Sequence, residues 1–524
     1  MEAGFGTQRH LCGATVGSQI PWTAHYDLAA RFPPEMKELS LLQKSFLIQV
    51  HLHLPPLIIE FYCTFNYNIP MKVIVIGNGG REHAIAWKLA QSMAVSEIIC
   101  VPGNGGTAHE AKCRNISPSD CDYIDPKASF NDAAVQIARH EGCTMAVIGP
   151  EDPLANGIAD AFWAADIPTV GAKEPAAQLE ASKHLAKAFM NKYGVACAKS
   201  ATFNDKDKAL EYIEEQGAPI VIKADGLAAG KGVVVALTME EARDAIRELM
   251  EEGRVGKAGS KVVIEEYLRG TEISILAAVS VTPESAKAGN ACIVPFLPAR
   301  DHKRLCDGAK GPNTGGMGAV SPVDDVTPLI QSQFEKNILQ PTLKGLIEEG
   351  YDYRGFIFFG IMLTEDGPKC LEYNVRLGDP ETQAVLPLMS FDFERMCESI
   401  INGDLNKFKL EWKKGYVVAP VAVSGGYPRD YKKGIPIFAE KEELDTSGAK
   451  VFIAGAIADR RSDHTTQDNY TGLVTSGGRV LACSAYGDDF DTAWNRAYNA
   501  LRTLHFDGMF YRKDIGLPGA AEST

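Results

Sequence analysis

Apolar residues from Met71 onward recur in the two periods that distinguish strands from helices. Continuous apolar runs over 72–76, 97–101 and 145–148 predict buried strands. A helical period over 82–92 predicts a helix between the first two runs. Because strands that alternate with helices form parallel sheets, this part of the chain is predicted to be an α/β domain.

Later parts of the chain keep both periods but change their proportion. A lysine-rich helical stretch precedes a middle region dense in glycine motifs, and runs typical of strands dominate beyond about residue 415. The predicted elements are a helical stretch over 173–199, strands over 219–223 and 233–236, β-rich runs over 416–423 and 451–457, and a closing helix over 491–504.

A chain of 524 residues is too long for a single core, so we expect several domains of mixed α/β and α+β class. The expected segments are a leader over 1–70 without a recognised fold, an N-terminal parallel-sheet α/β domain over 71–172, a catalytic region over 173–400 with a lid over about 195–262, and a β-rich C-terminal domain over 401–524.

The first 70 residues show no sustained period. Acidic residues such as Glu2 and Asp27 fit neither a secretory signal nor a transit peptide. The apolar run over 54–62 is too short to span a bilayer. Our hypothesis is that translation begins at Met71, which an N-terminal mass measurement on the native protein would check.

Composition narrows the class of protein. A hydrophobic content of 45% with 23% charged residues is ordinary for a globular protein. The net charge of −14 disfavours nucleic acid or an anionic membrane as a partner. The twelve cysteines form no CxxC pair, so neither a zinc site nor a disulfide framework is indicated. We expect reduced thiols and a cytoplasmic enzyme.

The first candidate site is the turn from Gly77 to His83, between a predicted strand and a predicted helix. Backbone N–H groups and the helix dipole favour an anion there. Glu82 takes the third glycine position of GxGxxG, and no ribose-binding acid follows, so NAD is disfavoured. Pro150 and Glu151 follow another strand of the same sheet, which favours a pocket. A tight turn without a ligand stays open as the alternative.

A second motif runs from Lys223 through Gly226 to Gly232. Strand patterns flank its small residues, so we expect a hairpin lid whose backbone donors and lysines cover phosphates. A glycine-rich hairpin without a ligand is the alternative. The next apolar strand ends at the polar stretch Glu265–Leu268, whose backbone could hydrogen-bond an adenine edge, with Glu272 free for ribose. Alone, that stretch is more typical of an exposed strand end.

A fourth motif joins the charged run Arg300–Arg304 to the glycine-rich loop 311–318. Its glycines allow close approach of backbone to a ligand, and Asp301 and Lys303 could hold an amino acid or phosphates. His302 is either a base or a positioned histidine, and the second interpretation is favoured because no partner is identifiable.

The most informative stretch is 371–383. Alternation along a strand would place Glu372, Asn374 and Arg376 on one face, with Tyr373 on the other. Hard oxygen ligands beside a fixed cation indicate Mg²⁺ that holds phosphates. An ordinary polar edge strand is the alternative, and the other motifs decide against it.

These motifs, in this order, resemble the ATP-grasp superfamily and, within it, the phosphoribosylamine–glycine ligases of purine biosynthesis. The resemblance covers Met71 to about Gly516. It implies a lid and a central ATP-grasp domain between the two terminal domains. It also implies that ATP and Mg²⁺ or Mn²⁺ serve to activate glycine as an acyl phosphate, which 5-phosphoribosylamine then captures. A monomer or weak homo-oligomer is expected.

The resemblance also implies a role for each matching residue. Catalysis falls to Lys223, Asp301 and Arg376, and the metal ligands are Glu372 and Asn374. The implied ATP contacts are Lys183, Lys223, Gly230, Lys231, Gly232, Glu265, Glu266, Tyr267, Leu268 and Glu272. The implied contacts of glycine and phosphoribosylamine are Gly79, Gly80, Arg81, Glu82, His83, Pro150, Glu151, Asp301, Lys303, Gly315, Gly316, Arg376, Gly378, Asp379 and Pro380.

The chain departs from the family pattern at Leu377 and Val320, where aromatic residues are common, and both changes affect packing only. Another ATP-grasp ligase would lack the pairing of the two glycine motifs. A regulatory protein that binds ATP without turnover would tolerate loss of Glu372 or Arg376, and neither is lost.

Overall fold

The computed structural model divides the chain into two compact units, residues 1–68 and 69–524. In the first unit, β1 (Phe46–Leu54) pairs antiparallel with β2 (Leu57–Phe65). The sequence pattern did not predict this hairpin, and the rest of the expected leader lies outside the described residues. The structure describes residues 46–54, 57–65, 71–227, 232–251, 256–459 and 472–520.

The second unit begins with the predicted α/β fold. Parallel strands run in the order β5-β4-β3-β6-β7, so the chain leaves β3 toward β4 on one side and β6 on the other. Gly77 and Gly149 follow β3 and β6 at this switch point, where open α/β sheets bind ligands. The elements are β3 (Met71–Gly77), α1 (Gly80–Ala90), β4 (Val95–Pro102), β5 (Cys113–Asn115), α2 (Phe130–Glu141), β6 (Met145–Ile148), α3 (Glu151–Ala155), α4 (Ile158–Ala164) and β7 (Thr169–Ala172).

A small separate sheet of four strands, here called the lid sheet, lies in the region where the sequence predicts a lid. Its strands run in the order β10-β9-β11-β8, and α7 and α8 pack their apolar faces on it. The hairpin of β9 and β10 pairs Lys223 with Val233, which confirms the predicted hairpin. The elements are α5 (Glu174–Ala181), α6 (Lys183–Tyr193), β8 (Ser200–Phe203), α7 (Lys206–Gln216), β9 (Ile220–Ala224), β10 (Val233–Ala236), α8 (Met239–Met250) and β11 (Val262–Glu266).

The central sheet is continuous with the N-terminal one. Strand β18 pairs antiparallel with β7 through Tyr353 and Arg354, which joins both into nine strands. The elements are β12 (Thr271–Val281), α9 (Pro283–Lys287), β13 (Cys292–Pro295), β14 (Arg300–Asp301), β15 (Arg304–Cys306), β16 (Lys310–Asn313), β17 (Gly318–Ser321), α10 (Pro328–Phe334), α11 (Gln340–Glu348), β18 (Tyr353–Thr364), β19 (Gly367–Asn374), α12 (Glu381–Val385) and α13 (Phe393–Asn402).

The C-terminal sheet includes two strands of the central region, β14 and β17. Its strand order is β14-β17-β20-β25-β22. The β-rich run expected over 451–457 is confirmed, and the structure divides it between two strands, β22 (Ala449–Ile453) and β23 (Ala456–Ala458). It breaks at Gly455, whose N–H turns to the carbonyls of Arg479 and Val480, and a Cβ there would lie 2.5 Å from the Arg479 carbonyl oxygen. The elements are β20 (Tyr416–Val423), β21 (Phe438–Ala439), α14 (Lys441–Thr446), β22 (Ala449–Ile453), β23 (Ala456–Ala458), β24 (Leu473–Thr475), β25 (Arg479–Gly487), α15 (Phe490–Arg502) and β26 (Leu504–His505).

Two class-level features accompany this fold. Among the described residues, no helix is long and apolar enough to cross a membrane. Ten cysteines are free thiols, namely Cys100, Cys113, Cys121, Cys143, Cys197, Cys292, Cys306, Cys370, Cys397 and Cys483.

Candidate active site

A cavity of about 380 Å³ lies where the lid sheet, α6, β19 and the segments after β14 and β16 meet. It gathers residues that the sequence places in six separate motifs. The predicted site residues that line it are Glu151, Lys183, Lys223, Gly232, Glu265, Glu266, Tyr267, Leu268, Glu272, Asp301, Lys303, Gly315, Glu372, Asn374, Arg376 and Asp379.

Other predicted residues are not brought to the cavity surface. The residues that do not line it are Gly79, Gly80, Arg81, Glu82, His83, Pro150, Gly316, Gly378 and Pro380. Gly230 and Lys231, predicted to contact phosphates, lie outside the described residues.

One side of the cavity, here the lid wall, consists of Lys183, Lys187, Lys223 and Glu265 with the strand end Tyr267–Leu268. The buried carboxylate of Glu265 lies 2.9 Å from Lys223 Nζ and 3.0 Å from Lys187 Nζ. Burial lowers the pKa of Lys223, but Glu265 and Glu372 outweigh it, and the net pKa is raised. Lys223 therefore faces the cavity as a charged group that is already paired with Glu265.

Lys183 connects the lid to the N-terminus of α6. Its Nζ donates to the Gly226 carbonyl at 3.0 Å, and burial lowers its pKa. Beside it, Asp225 Oδ1 accepts from Ser182 Oγ at 2.9 Å and from the His184 N–H at 3.1 Å. These bonds fix the end of β9 against the first turn of α6, so Lys183 and Lys223 face the same space.

The strand β11 ends at Glu266, and the chain then runs along the cavity edge. The backbone groups of Tyr267 and Leu268 make no hydrogen bond to any part of the chain that the structure describes. Glu272, further along, pairs directly with Lys303. This edge offers backbone donors and acceptors to a planar polar ring.

The predicted alternation along β19 is observed. Glu372 and Asn374 line the cavity, while the hydroxyl of Tyr373 bonds Thr342 at 2.7 Å in the core. Burial raises the pKa of Glu372, but Lys303, with the other nearby cations, outweighs burial and the net pKa is lowered. Glu372 is therefore a carboxylate.

A carboxylate with one carboxamide oxygen is too few ligands for a closed metal site. In the described ranges, no group of three or more His, Cys, Asp or Glu could hold a metal ion by itself. Mg²⁺ is commonly bound by one or two carboxylates together with substrate phosphates. Glu372 and Asn374 fit a metal of that kind, whose remaining ligands come from a nucleotide.

The opposite side, here the turn wall, consists of Glu151, Glu180, Asp301, Arg376 and Asp379 around the turn at Gly378. Arg376 lies between Glu180, at 2.7 Å, and Glu151, at 3.3 Å. Glu180 also accepts the Val375 N–H at 2.7 Å. Burial raises the pKa of Glu180 to about 7, although Arg376 pulls it down.

Asp301 has an unsatisfied oxygen. Its Oδ1 is buried without a hydrogen bond, and burial together with Glu381 raises its pKa well above the usual range. Gly316, with φ of +113°, passes so close that a Cβ there would lie 2.6 Å from this oxygen. A buried carboxyl oxygen without a donor is costly unless a ligand supplies one.

The Gly77–His83 turn is filled from within. Glu82 accepts the Gly79 N–H at 2.6 Å and the Arg81 Nε–H at 2.6 Å. A Cβ at Gly149 would lie 2.1 Å from Glu82 Oε1, so glycine there makes room for this carboxylate. The helix N-terminus at which the sequence predicted an anion is therefore already capped by the Glu82 carboxylate of the protein itself.

His83 has both ring nitrogens engaged. Its Nδ1 accepts the Ile453 N–H at 2.9 Å, and Nε2 lies 3.2 Å from Glu110. The ring is 3% exposed and joins the N-terminal domain to β22. His302 is similarly buried, with Nε2 accepting the Gly516 N–H at 3.0 Å, which confirms a positioned histidine.

Sequence reasoning missed several residues. Lys187 lies one helical turn after Lys183, and that spacing could have found it. Glu381 lies within the stretch already singled out. Glu180, Asn104 and Arg479 carry no local signal, because their partners lie far along the chain. Asn104 Nδ2, for example, donates to the Ile453 carbonyl at 2.8 Å, 349 residues away.

Comparison with protein families matches the chain in three consecutive parts. Residues 71–180 match the phosphoribosylglycinamide synthetase N domain, 181–382 the ATP-grasp (A) domain of the same enzyme, and 417–518 its C domain.

Curated relatives are similar over almost their whole length. A phosphoribosylamine–glycine ligase of Clostridium acetobutylicum is 44% identical over 446 residues, which is 85% of this chain and 99% of that protein. A ligase of the same name from Neisseria meningitidis is 43% identical over 448 residues, 85% of this chain and 98% of that one.

Solved structures agree. Phosphoribosylamine–glycine ligase of Thermotoga maritima superposes with a TM-score of 0.68 at 33% identity, over 85% of this chain and all of that one. The biotin carboxylase domain of Hydrogenobacter thermophilus 2-oxoglutarate carboxylase, solved with MgADP and bicarbonate, has a TM-score of 0.61 at 15% identity, over 84% of this chain and 91% of that one. The second likeness shows the fold alone.

Proposed function

The chain belongs to the phosphoribosylglycinamide synthetase family, and from that premise we propose how its cavity divides the work of the reaction. The chain is an ATP-dependent ligase that joins glycine to phosphoribosylamine in purine biosynthesis. The observation that carries the proposal is that one cavity brings the lid wall and the turn wall together, with Glu372 and Asn374 between them.

ATP binds along the lid wall in this proposal. The unengaged backbone of Tyr267 and Leu268 takes the adenine edge, and Glu272 takes the ribose. Lys183 and Lys223 contact the phosphates, since both face the cavity and are held by the lid. Gly232, which lines the cavity, is a further phosphate contact in this proposal. The contacts predicted for Gly230 and Lys231 stay predictions, since both lie outside the described residues.

Glu372 and Asn374 hold the divalent metal, Mg²⁺ or Mn²⁺, at the boundary of the two walls. When bound, the metal neutralises phosphate charge as bond cleavage develops it. Glu372 is ready for this because the surrounding cations keep it ionised. Asn374, two residues on, adds a neutral oxygen from the same strand face.

Glycine binds at the turn wall. Its ammonium group donates to the buried Asp301 Oδ1, which otherwise has no donor. Its carboxylate lies toward Arg376 and attacks the γ-phosphorus of ATP. The new O–P bond forms as the bond from that phosphorus to the bridging oxygen breaks, which gives glycyl phosphate and ADP. Lys223 and Arg376 stabilise charge on the transferred group.

Phosphoribosylamine completes the reaction. Its amine attacks the glycyl carbonyl carbon, phosphate leaves, and the amine loses a proton, so no enzyme nucleophile is needed. In this proposal Arg81 and Glu151, with Gly79, Gly80, Pro150 and the 378–380 turn, form its side of the cleft. Arg81 lies 3.8 Å from Glu151 and donates to the Leu377 carbonyl at 3.1 Å. Glu82 and His83 act by positioning this region rather than by contact.

The domain boundaries expected from the sequence remain part of the proposal, with the lid over about 195–262. A cytoplasmic location suits purine biosynthesis and free thiols. A monomer or weak homo-oligomer is proposed.

The test is release of phosphate from ATP by the purified protein with Mg²⁺. Glycine and freshly made phosphoribosylamine are added separately and together. We expect sustained release only with both, together with formation of glycinamide ribonucleotide. Release that ignores both substrates would show that the assignment is wrong.

A further inference from the structure

An arginine from the C-terminal sheet reaches the turn wall. Arg479 is the first residue of β25, and its Nη1 donates to the Asp379 carbonyl at 2.6 Å and also to the Gly315 carbonyl. Its Nη2 lies 3.3 Å from the Asp379 carboxylate. One guanidinium therefore bonds two cavity-lining segments that are more than 60 residues apart in the chain.

A tyrosine from the same domain, Tyr427, bonds the N–H of Gly315, whose carbonyl accepts from Arg479. Tyr427 Oη accepts the Gly315 N–H at 2.9 Å. Both backbone polar groups of Gly315 are thus engaged by the C-terminal domain. A Cβ on Gly315 would lie 3.3 Å from both Arg479 Cζ and Tyr427 Oη, which leaves little room for a larger residue.

Contacts within the C-terminal domain fix the backbone of Arg479 and the ring of Tyr427. The backbone of Arg479 pairs with Val423 in the sheet, and its carbonyl accepts the Gly455 N–H at 2.9 Å. Gly478 allows the Tyr427 ring to pass, since a Cβ there would lie 2.3 Å from Tyr427 Cδ2. The two donors of Arg479 and the acceptor of Tyr427 are therefore held by contacts within the C-terminal domain itself.

The contacts of Asp379 extend to the first glycine turn, at Gly79 and Gly80. Asp379 Oδ2, the oxygen that faces Arg479, lies 3.3 Å from where a Cβ on Gly79 would be. Asp379 Oδ1 accepts from Gln383 Nε2 at 2.8 Å, and a Cβ on Gly80 would lie 2.5 Å from that nitrogen. The position of Asp379 thus sets how the turn at 378–380 meets α1.

We propose that Arg479 and Tyr427 are positioning residues. They hold the glycine-rich loop 311–318 and the turn at Asp379 in the geometry that the substrates, glycine and phosphoribosylamine, require. This rests on the proposed function of the turn wall. Within the described part of the chain, no hydrogen bond or ion pair joins Arg479 or Tyr427 to the lid wall, so their effect falls on the two acceptor substrates rather than on ATP.

The test compares Arg479→Met, Arg479→Lys and Tyr427→Phe with wild type. For Arg479→Met we expect kcat/KM for glycine and for phosphoribosylamine to fall about 10- to 100-fold, the range that a misplaced reacting group costs. Affinity for ATP with Mg²⁺, measured by calorimetry, should stay within about twofold. Arg479→Lys keeps one charge-assisted donor and should fall between.

Arg496→Met is the matched control, since Arg496 lies in the same domain and donates to the Tyr486 carbonyl at 2.9 Å, away from the cavity. It should match wild type. If Arg479→Met does not fold, Tyr427→Phe, which removes only the hydroxyl acceptor, carries the test with a smaller loss. Equal losses for ATP and the acceptors, or none at all, would overturn the proposal. Wild type without substrate-dependent phosphate release would instead overturn the proposed function and this inference with it.

Discussion

The lid wall and the turn wall are built in different ways. The lid wall is local: Glu265 pairs with two lysines from within 80 residues of it, on α6 and β9. The turn wall is assembled from distant segments, so that Arg376 meets Glu151 and Glu180, and Asp379 meets Arg479. The side assigned to ATP therefore depends on short motifs, and the side assigned to the acceptor substrates depends on the tertiary fold.

The boundary between the walls should be the most sensitive position. Glu372→Gln keeps the side-chain size but removes the charge that the metal and four cations face. We expect kcat to fall about 10²- to 10³-fold, because electrostatic groups at phosphoryl transfer contribute on that scale. Steady-state phosphate release at several Mg²⁺ concentrations measures it. Glu365→Gln, on the exposed turn of the same hairpin, is the control. Full activity at saturating Mg²⁺ would remove Glu372 from metal binding.

Breaking the turn wall should cost both activity and stability. Arg376→Met leaves Glu151 and Glu180 without their shared cation. We expect about 10²-fold lower kcat/KM for glycine, and about 3 kcal/mol lower free energy of unfolding, as for a buried ion pair that loses one partner. Kinetics and denaturant unfolding check the two effects. Arg395→Met, at an exposed arginine, should change neither. An active, fully stable Arg376→Met would contradict the account of the turn wall.

Breaking the lid wall should affect ATP alone. Lys187→Met removes one of the two lysines that pair with Glu265. The Glu265 carboxylate then pairs more strongly with Lys223, which is less able to contact phosphates. We expect KM for ATP to rise about 10-fold while KM for glycine changes little, since one charged contact contributes about 1.5–3 kcal/mol. Lys192→Met, exposed on the same helix and paired with Glu349, is the control. An equal rise in both KM values would contradict the assignment of ATP alone to the lid wall.

The smallest effect concerns pH. With a pKa of about 7 against the usual 4.5, Glu180 holds its proton more tightly in the folded protein than in the unfolded one. Between those values it therefore makes stability fall as pH rises. Its ionised form pairs Arg376, so kcat/KM for glycine should rise through pH 7. In Glu180→Gln, both dependences should flatten, with a few-fold loss of rate at pH 8. An unchanged pH profile of the variant would assign the titration to another group.

Much of the fold could be predicted because its signals are local. The apolar runs that became β6, β10 and β20 match their predicted bounds. The features that the sequence did not predict depend on long-range contacts: nothing near Gly455 in sequence shows that its N–H turns to β25 and so divides the β-rich run 451–457. The sharing of β14 and β17 with the C-terminal sheet likewise depends on pairing across about 100 residues.

The candidate site divides in the same way. Glu372 and Asn374 could be predicted because strand alternation alone puts them on one face. Glu180 and Arg479 could not, because each acts through a partner whose place only the fold decides. The contact expected for His83 depended on a motif, whereas its surroundings, Glu110 and Ile453, come from other elements.

The central claim is that the turn wall presents the carboxylate of glycine to ATP. The most direct test uses glycine labelled with ¹⁸O in its carboxylate, with ATP, Mg²⁺ and phosphoribosylamine, and mass spectrometry of the phosphate released. Formation of glycyl phosphate predicts one ¹⁸O atom transferred from glycine to each phosphate. Unlabelled phosphate would contradict the account, because ATP would then have been cleaved without attack by the glycine carboxylate.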